Sequence, residues 1–166
     1  MDTTIRPATA DDLPRLTTIY NHYIEGSHVS FDVEPWTLEK RRAWFAKYAE
    51  TGRHRVLVLE TDDGVVGAAW SSPFRPKEAY DTSVETTIVL DPAVIGRGLG
   101  RLLMTALLDE LSHEDVHRAY AVIALPNDAS IALHERLGYR LLSIQDDVGR
   151  MYGTYWSTAL LEKRFE

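Results

Sequence analysis

Cysteine is missing from all 166 residues. That excludes disulfides, thiolate-bound zinc and a cysteine nucleophile, so any acyl transfer has to run without a cysteinyl intermediate, and a reducing compartment is permitted. Long apolar runs are missing too: nowhere do about 18 apolar residues follow one another, as a spanning helix would need. The opening Met1-Asp2-Thr3-Thr4 has neither a basic region nor an apolar core. The expectation is a cytoplasmic protein with no membrane partner. Basic residues are in deficit, 18 against 25 acidic ones, for a net charge of -7. Such a balance repels phosphate backbones and argues against nucleic acid, while a local basic patch can still hold a small phosphorylated cofactor. Repeats, low-complexity tracts and linkers are absent as well, which predicts one domain over residues 1–166.

What is present reads as alternating strands and helices. Thr3–Arg6 suits a short strand, after which Thr9 or Asp11 can cap a helix that tolerates Pro14 in its first turn. Leu13, Leu16, Ile19, Tyr20, Tyr23 and Ile24 recur at helical spacing. Thr37 can cap a second helix carrying Leu38, Trp44, Phe45 and Tyr48, with Gly52 as its stop. Residues 54–60 and 65–70 are β-rich and are joined by Thr61-Asp62-Asp63-Gly64, a hairpin signal. Ser83–Leu90 is a strand, and Gly96–Gly100 leads into a helix with Leu99, Leu102, Leu103, Ala106, Leu107 and Leu111 on one face. Arg118–Leu125, Tyr139–Gln145 and Thr154–Arg164 complete the strands, and Asp128–Leu137 is a short helix closed by Gly138. The order predicts a mixed α+β fold around a central, largely antiparallel sheet flanked by helices.

Three places carry candidate chemistry. Ile95-Gly96-Arg97-Gly98-Leu99-Gly100-Arg101 puts three glycines where a strand hands over to a helix. There the backbone can approach a ligand closely, helix amides point at a bound anion, and a pyrophosphate would fit. The same glycines also suit tight packing. No Gly-Lys-Ser/Thr follows, so a P-loop is excluded, and Arg101 stands where the dinucleotide fingerprint needs glycine. Glu85 lies mid-strand, on the face it shares with Thr87 and Val89. A carboxylate among apolar neighbours acquires a raised pKa, which suits a general base, whereas a half-exposed sheet would make it an ordinary solvated residue. His134, between Leu133 and Leu137, suits either a proton donor to a leaving group or a satisfied interior histidine. His113-Glu114-Asp115-Val116-His117 matches the H-E-x-x-H zinc pattern, but it falls where the long helix should end, so no metal is expected.

Taken together, Ser83–Leu90, the Gly96–Gly100 turn and the run Asn127 to Tyr139 resemble the GNAT N-acetyltransferases. The branch most similar is that of phosphinothricin and methionine sulfoximine acetyltransferases. The likeness extends from Ile5-Arg6-Pro7-Ala8-Thr9 through Ile19-Tyr20-Asn21-His22, Arg41-Arg42-Ala43-Trp44-Phe45 and Pro73-Phe74-Arg75-Pro76 to Val148-Gly149-Arg150. It implies a sheet of about seven strands splayed open in the middle, with acetyl-CoA between the Ser83–Leu90 and Arg118–Leu125 strands. The amides of Ile95, Gly96, Arg97, Gly98, Leu99, Gly100 and Arg101 would hold its pyrophosphate. Ile88, Val89 and Leu90 would pair with the pantetheine arm, and Asn127 would bind it further along. It further implies direct attack by an amine, with Glu85 as base through water, an amide near Ile88 stabilising the oxyanion, and His134 at the departing thiolate. Phe31, Arg75 and Tyr80 would contact the acceptor, Arg75 donating to a carboxylate of the acceptor. A homodimer is implied as well.

The chain departs from that branch at several positions. Ile95 replaces a basic residue, Thr86 a histidine, and Asp81 and Thr82 basic and aromatic residues, while Met151 and Ser157 replace lysine and aspartate. These changes are expected around the acceptor pocket. Other amines, such as a polyamine, an aminoglycoside or a protein N-terminus, therefore stand as alternative acceptors, and a non-catalytic acyl-CoA-binding domain as an alternative from another class.

Overall fold

The computed structural model describes residues 2–166. Seven strands form one sheet in the order β1-β2-β3-β4-β5-β7-β6. These are β1 (Thr4–Pro7), β2 (Val56–Thr61), β3 (Gly64–Pro73), β4 (Ser83–Leu90), β5 (Arg118–Ala124), β6 (Arg140–Met151) and β7 (Thr154–Arg164). Four α-helices accompany them: α1 (Leu13–Gly26), α2 (Leu38–Phe45), α3 (Leu99–Ser112) and α4 (Asp128–Arg136). Every neighbouring pair of strands is antiparallel except β4 and β5, so the mixed, largely antiparallel sheet expected from the sequence is the one observed. No helix among the described residues is long and apolar enough to cross a membrane.

Both faces of the first half of the sheet are covered, which explains why β2 reads as a continuous apolar run rather than an alternating one. Leu57 and Leu59 join Leu103, Leu107 and Leu111 of α3 in one cluster. Val56 and Val58, one residue out of phase, join Leu13, Leu16 and Trp70 in a second cluster on the α1 side. The stripe predicted for α1 divides accordingly: Leu13, Leu16, Ile19 and Ile24 are buried, whereas Tyr20 and Tyr23 face a cavity.

Several boundaries differ from expectation, each for a local reason. Thr9 precedes a 3-10 turn, Ala10–Asp12, in which the Thr9 backbone N–H donates to Asp12 Oδ2 at 2.7 Å, and α1 begins only after it. Thr37 does cap α2, its hydroxyl accepting from the Lys40 amide at 3.1 Å. Gly52 does not stop that helix. The helix ends at Phe45, and Gly52, at φ +92°, sits in the loop entering β2. Strand β6 runs six residues beyond the predicted Gln145, because register shifts absorb Asp146 to Val148 and pairing with β7 resumes at Gly149↔Trp156.

Where β4 and β5 meet, the sheet is held by three residue pairs only: Ser83↔Arg118, Val84↔Ala119 and Glu85↔Tyr120. Beyond Glu85 the two strands part, as the resemblance implied. In an antiparallel pair, alternate residues spend their backbone groups on the neighbouring strand. The Asp91 amide donates to Val66 O at 2.8 Å, so by that alternation Val89 is committed to β3 while Ile88 and Leu90 turn outward to the gap. The Tyr23 hydroxyl reaching Leu90 O at 2.6 Å agrees with this assignment.

Candidate active site

The gap opens into a cavity of about 890 Å³, a size suited to a small-molecule site. One side is walled by α4 and the diverging strands, through Ile88, Leu90, Ala121, Asn127, Leu133 and His134. The other side is walled by α1, α2 and the end of β3, through Tyr20, Arg41, Trp44, Tyr48, Phe74 and Arg75. Glu85 lines the same cavity, at the last β4 residue still paired with β5.

Glu85 and His134 meet the conditions that their chemistry sets. Burial pushes the Glu85 carboxyl above its ordinary range, because the charged form loses hydration without gaining a cation. His134 is 3% exposed. Its Nδ1 lies 2.8 Å from Ser130 O one turn back on α4, and a carbonyl can only accept, so Nδ1 carries the hydrogen and Nε2 holds a lone pair. Nε2 is buried without a partner. Burial lowers the imidazole pKa, the Ser130 bond opposing this, and the ring is therefore neutral at pH 7. Tyr139 stands edge-on beneath it at 5.0 Å and is fixed by a 2.7 Å hydrogen bond to Thr86 Oγ1. Thr86, in place of the branch's histidine, thus braces the floor under His134.

The glycine turn supplies two different things. Gly96 and Gly98 adopt φ +82° and +78°, which side-chain-bearing residues avoid, and a Cβ at either would meet nothing within 4 Å. Open space above bare backbone is what a bound pyrophosphate requires. Gly100 instead serves packing, since its Cβ would lie 3.2 Å from Leu90 and 3.5 Å from Leu133. Leu99 is buried in the core, and Arg97 and Arg101 are exposed. Of residues 95–101, Ile95 alone borders the cavity itself. Asn127 both lines the cavity and caps α4, its Oδ1 accepting from the Ser130 amide at 3.2 Å. Val89 contributes its side chain to the cavity wall, its backbone being engaged with β3.

Among the expected acceptor contacts, Arg75 lines the cavity and Phe31 and Tyr80 do not. Phe31, at φ +60°, lays its ring over Gly149, where even a methyl group would clash. Tyr80 accepts a long hydrogen bond, 3.4 Å, from Arg75 Nη1. The substitutions expected to ring the pocket are dispersed: Thr86 lines it, but Asp81, Thr82, Met151 and Ser157 do not. The H-E-x-x-H stretch lies off the helix, with His113 at the C-cap of α3 and Glu114 paired with Arg55, so its two imidazoles lack the helical register a zinc site needs.

Sequence reading missed the aromatic wall of Tyr20, Trp36, Trp44, Tyr48 and Trp70 around Arg41. A signal was available. Arg41 falls in phase with Leu38, Trp44, Phe45 and Tyr48, and a cation on an apolar helical stripe calls for an explanation. Burial pushes Tyr48 up to about 12, and Tyr48 lies within electrostatic reach of both Arg41 and Glu85.

Comparison with known proteins agrees with this geometry. The chain is 46% identical over 161 residues to a phosphinothricin N-acetyltransferase from Streptomyces coelicolor, covering 96% of this chain and 94% of that protein. It is 30% identical over 162 residues to an L-methionine sulfoximine/L-methionine sulfone acetyltransferase from Pseudomonas paraeruginosa, covering 98% and 94%. A phosphinothricin acetyltransferase from Sinorhizobium meliloti, solved in complex with AcCoA, superposes with a TM-score of 0.93 at 29% identity, covering 99% of this chain and 89% of that one. The model of the Acetyltransferase (GNAT) family matches residues 16–139, most of the chain, and the protein is a member of that family of N-acetyltransferases.

Proposed function

We propose that this enzyme transfers an acetyl group from acetyl-CoA to the free α-amine of an amino acid or amino-acid analogue of the phosphinothricin or methionine sulfoximine kind. One observation carries the reading: Glu85 and His134 line a single cavity that opens where β4 and β5 part. The names of the Streptomyces and Pseudomonas relatives support the acceptor class. The residues present fit acetyl-CoA, because the outward-turned backbone of Ile88 and Leu90, Asn127, and the open turn at Gly96 and Gly98 offer partners along its length. When bound, it supplies the acyl thioester.

Each residue then has a defined task. Glu85, as carboxylate, removes the proton from the acceptor ammonium, directly or through water. The backbone amide of Ile88, facing the gap, donates to the oxygen on which charge develops. His134, neutral and with Nε2 unprotonated, takes a proton shed by the attacking nitrogen and delivers it at the departing sulfur. Arg75, on the cavity wall, binds the acceptor carboxylate through its planar fork. The test is thiol release from acetyl-CoA over phosphinothricin, methionine sulfoximine, methionine sulfone, ordinary amino acids, polyamines and aminoglycosides. Turnover confined to the amino-acid class is expected; turnover of polyamines or aminoglycosides alone would overturn the acceptor assignment.

We also propose a homodimer. The outermost strand β6 exposes Leu141 (51%), Ile144 (53%) and Val148 (54%), an apolar edge of the sort that proteins otherwise cover or charge. Sedimentation equilibrium is expected to give twice the 18.8 kDa chain mass and Ile144→Lys a single chain. A monomeric parent protein at micromolar concentration would sink the idea.

A further inference from the structure

The chain carries net charge -7, yet the charged side chains on the cavity wall are Arg41, Lys47, Arg75 and a single carboxylate, Glu85. Arg75 comes from the loop after β3, while Arg41 and Lys47 come from α2 and the turn that follows it. The cavity wall therefore carries three cations, drawn from two segments of the chain, in an otherwise acidic molecule.

Arg41 is fully buried, with its guanidinium carbon 4.1 Å from the Trp36 ring centre, 4.5 Å from Tyr20 and 4.7 Å from Trp44. Its Nε and Nη2 have no hydrogen-bond partner. Burial lowers its pKa to about 10, so it stays charged at neutral pH. The carboxylate within its electrostatic reach, Asp32, is engaged by the Tyr20 hydroxyl. Aromatic faces stabilise a cation without cancelling its charge, and a buried charge is screened far less than one in water. Lys47 lines the same cavity and is exposed, without an ion pair among the described residues.

We propose that Lys47 and Arg41, which line the cavity together, form a second anion-recognition point, so that the enzyme selects acceptors bearing an anionic side group besides the α-carboxylate. The inference rests on reading the cavity as the acceptor site with Arg75 at the α-carboxylate. Lys47 makes the contact, its ammonium being a mobile point charge with three donors that suits a phosphinate or a second carboxylate. Arg41, sealed behind the rings, is a positioning residue that acts through its field. Acceptors with uncharged side groups gain nothing from the wall, and polycationic ones are repelled.

Two acceptors separate the cases: phosphinothricin, whose side group is an anionic phosphinate, and methionine sulfone, whose side group is uncharged. Steady-state kinetics at saturating acetyl-CoA would compare the parent enzyme with Lys47→Gln and Lys47→Glu, both at an exposed position that folding tolerates. The preference for phosphinothricin over methionine sulfone in kcat/KM is expected to fall about tenfold in Lys47→Gln and further in Lys47→Glu, through KM, and to shrink with added salt. An unchanged preference, or equal losses for both acceptors, would overturn the proposal. Should neither acceptor turn over on the parent enzyme, the functional reading itself fails. The wall is then judged by thermal shift with phosphinothricin: stabilisation lost in Lys47→Glu supports it, and no stabilisation, or stabilisation kept in Lys47→Glu, overturns it.

Discussion

Replacing Glu85 by glutamine is expected to lower kcat by about 10²- to 10⁴-fold, the range that a positioned general base contributes, while acetyl-CoA binding persists. The substitution keeps volume and hydrogen-bonding capacity but removes the ability to take a proton. Because burial raises the Glu85 pKa, the working carboxylate is depleted as pH falls through that raised value, above the ordinary range near about 4.3. The parent enzyme should therefore show an acidic limb in log kcat that lies above that range. His134 is buried and lowered, so it becomes protonated only as pH falls below its own depressed value, and in that range its lone pair is lost as well. Rate against pH for both proteins checks the assignment. A Glu85→Gln enzyme with undiminished kcat would remove Glu85 from the mechanism, and an unchanged acidic limb would assign that limb to His134 instead.

Truncating Leu103 to alanine should cost about 2–5 kcal/mol of stability, the range for a large aliphatic side chain removed from a packed interior. Leu103 is fully buried on the inner face of α3, in the cluster that also holds Leu57, Val84 and Leu107, and it lies beneath Gly67, whose added Cβ would come 3.6 Å from it. The neighbouring Leu102 is 45% exposed, and its truncation should stay within about 0.5 kcal/mol. Urea unfolding of the two variants compares them directly. Equal midpoints would mean that α3 does not pack on the sheet through this face.

How far the sequence discloses this arrangement depends on how local each signal is. The α1 stripe, the Thr37 cap, the Asp-Gly hairpin and the glycine turn are governed by a few neighbouring residues, and all are found where their patterns lie. The length of β6 is not local. Asp146 and Asp147 interrupt the apolar pattern, and the strand continues only because β7 re-engages it beyond the irregularity. Glu85 and His134 were legible as single residues of suitable chemistry. That they share one cavity depends on where β4 and β5 part, a tertiary fact. The cavity wall around Arg41 was least legible, since it draws Tyr20, Arg41, Trp70 and Arg75 from four separate segments, and Arg41 hid as a charge within a basic, polar helix.

The three-pair join between β4 and β5 has a mechanical consequence. Strands β1 to β4 and β5 to β7 are two half-sheets joined along three residue pairs, and beyond that join each presents an inner edge to the gap. A molecule laid along both edges completes the ladder, and whatever binds the folded form alone adds RT ln(1 + [L]/Kd) to its stability. A ligand seated along both edges is therefore expected to hold the two half-sheets together, and to raise the melting temperature as its concentration rises.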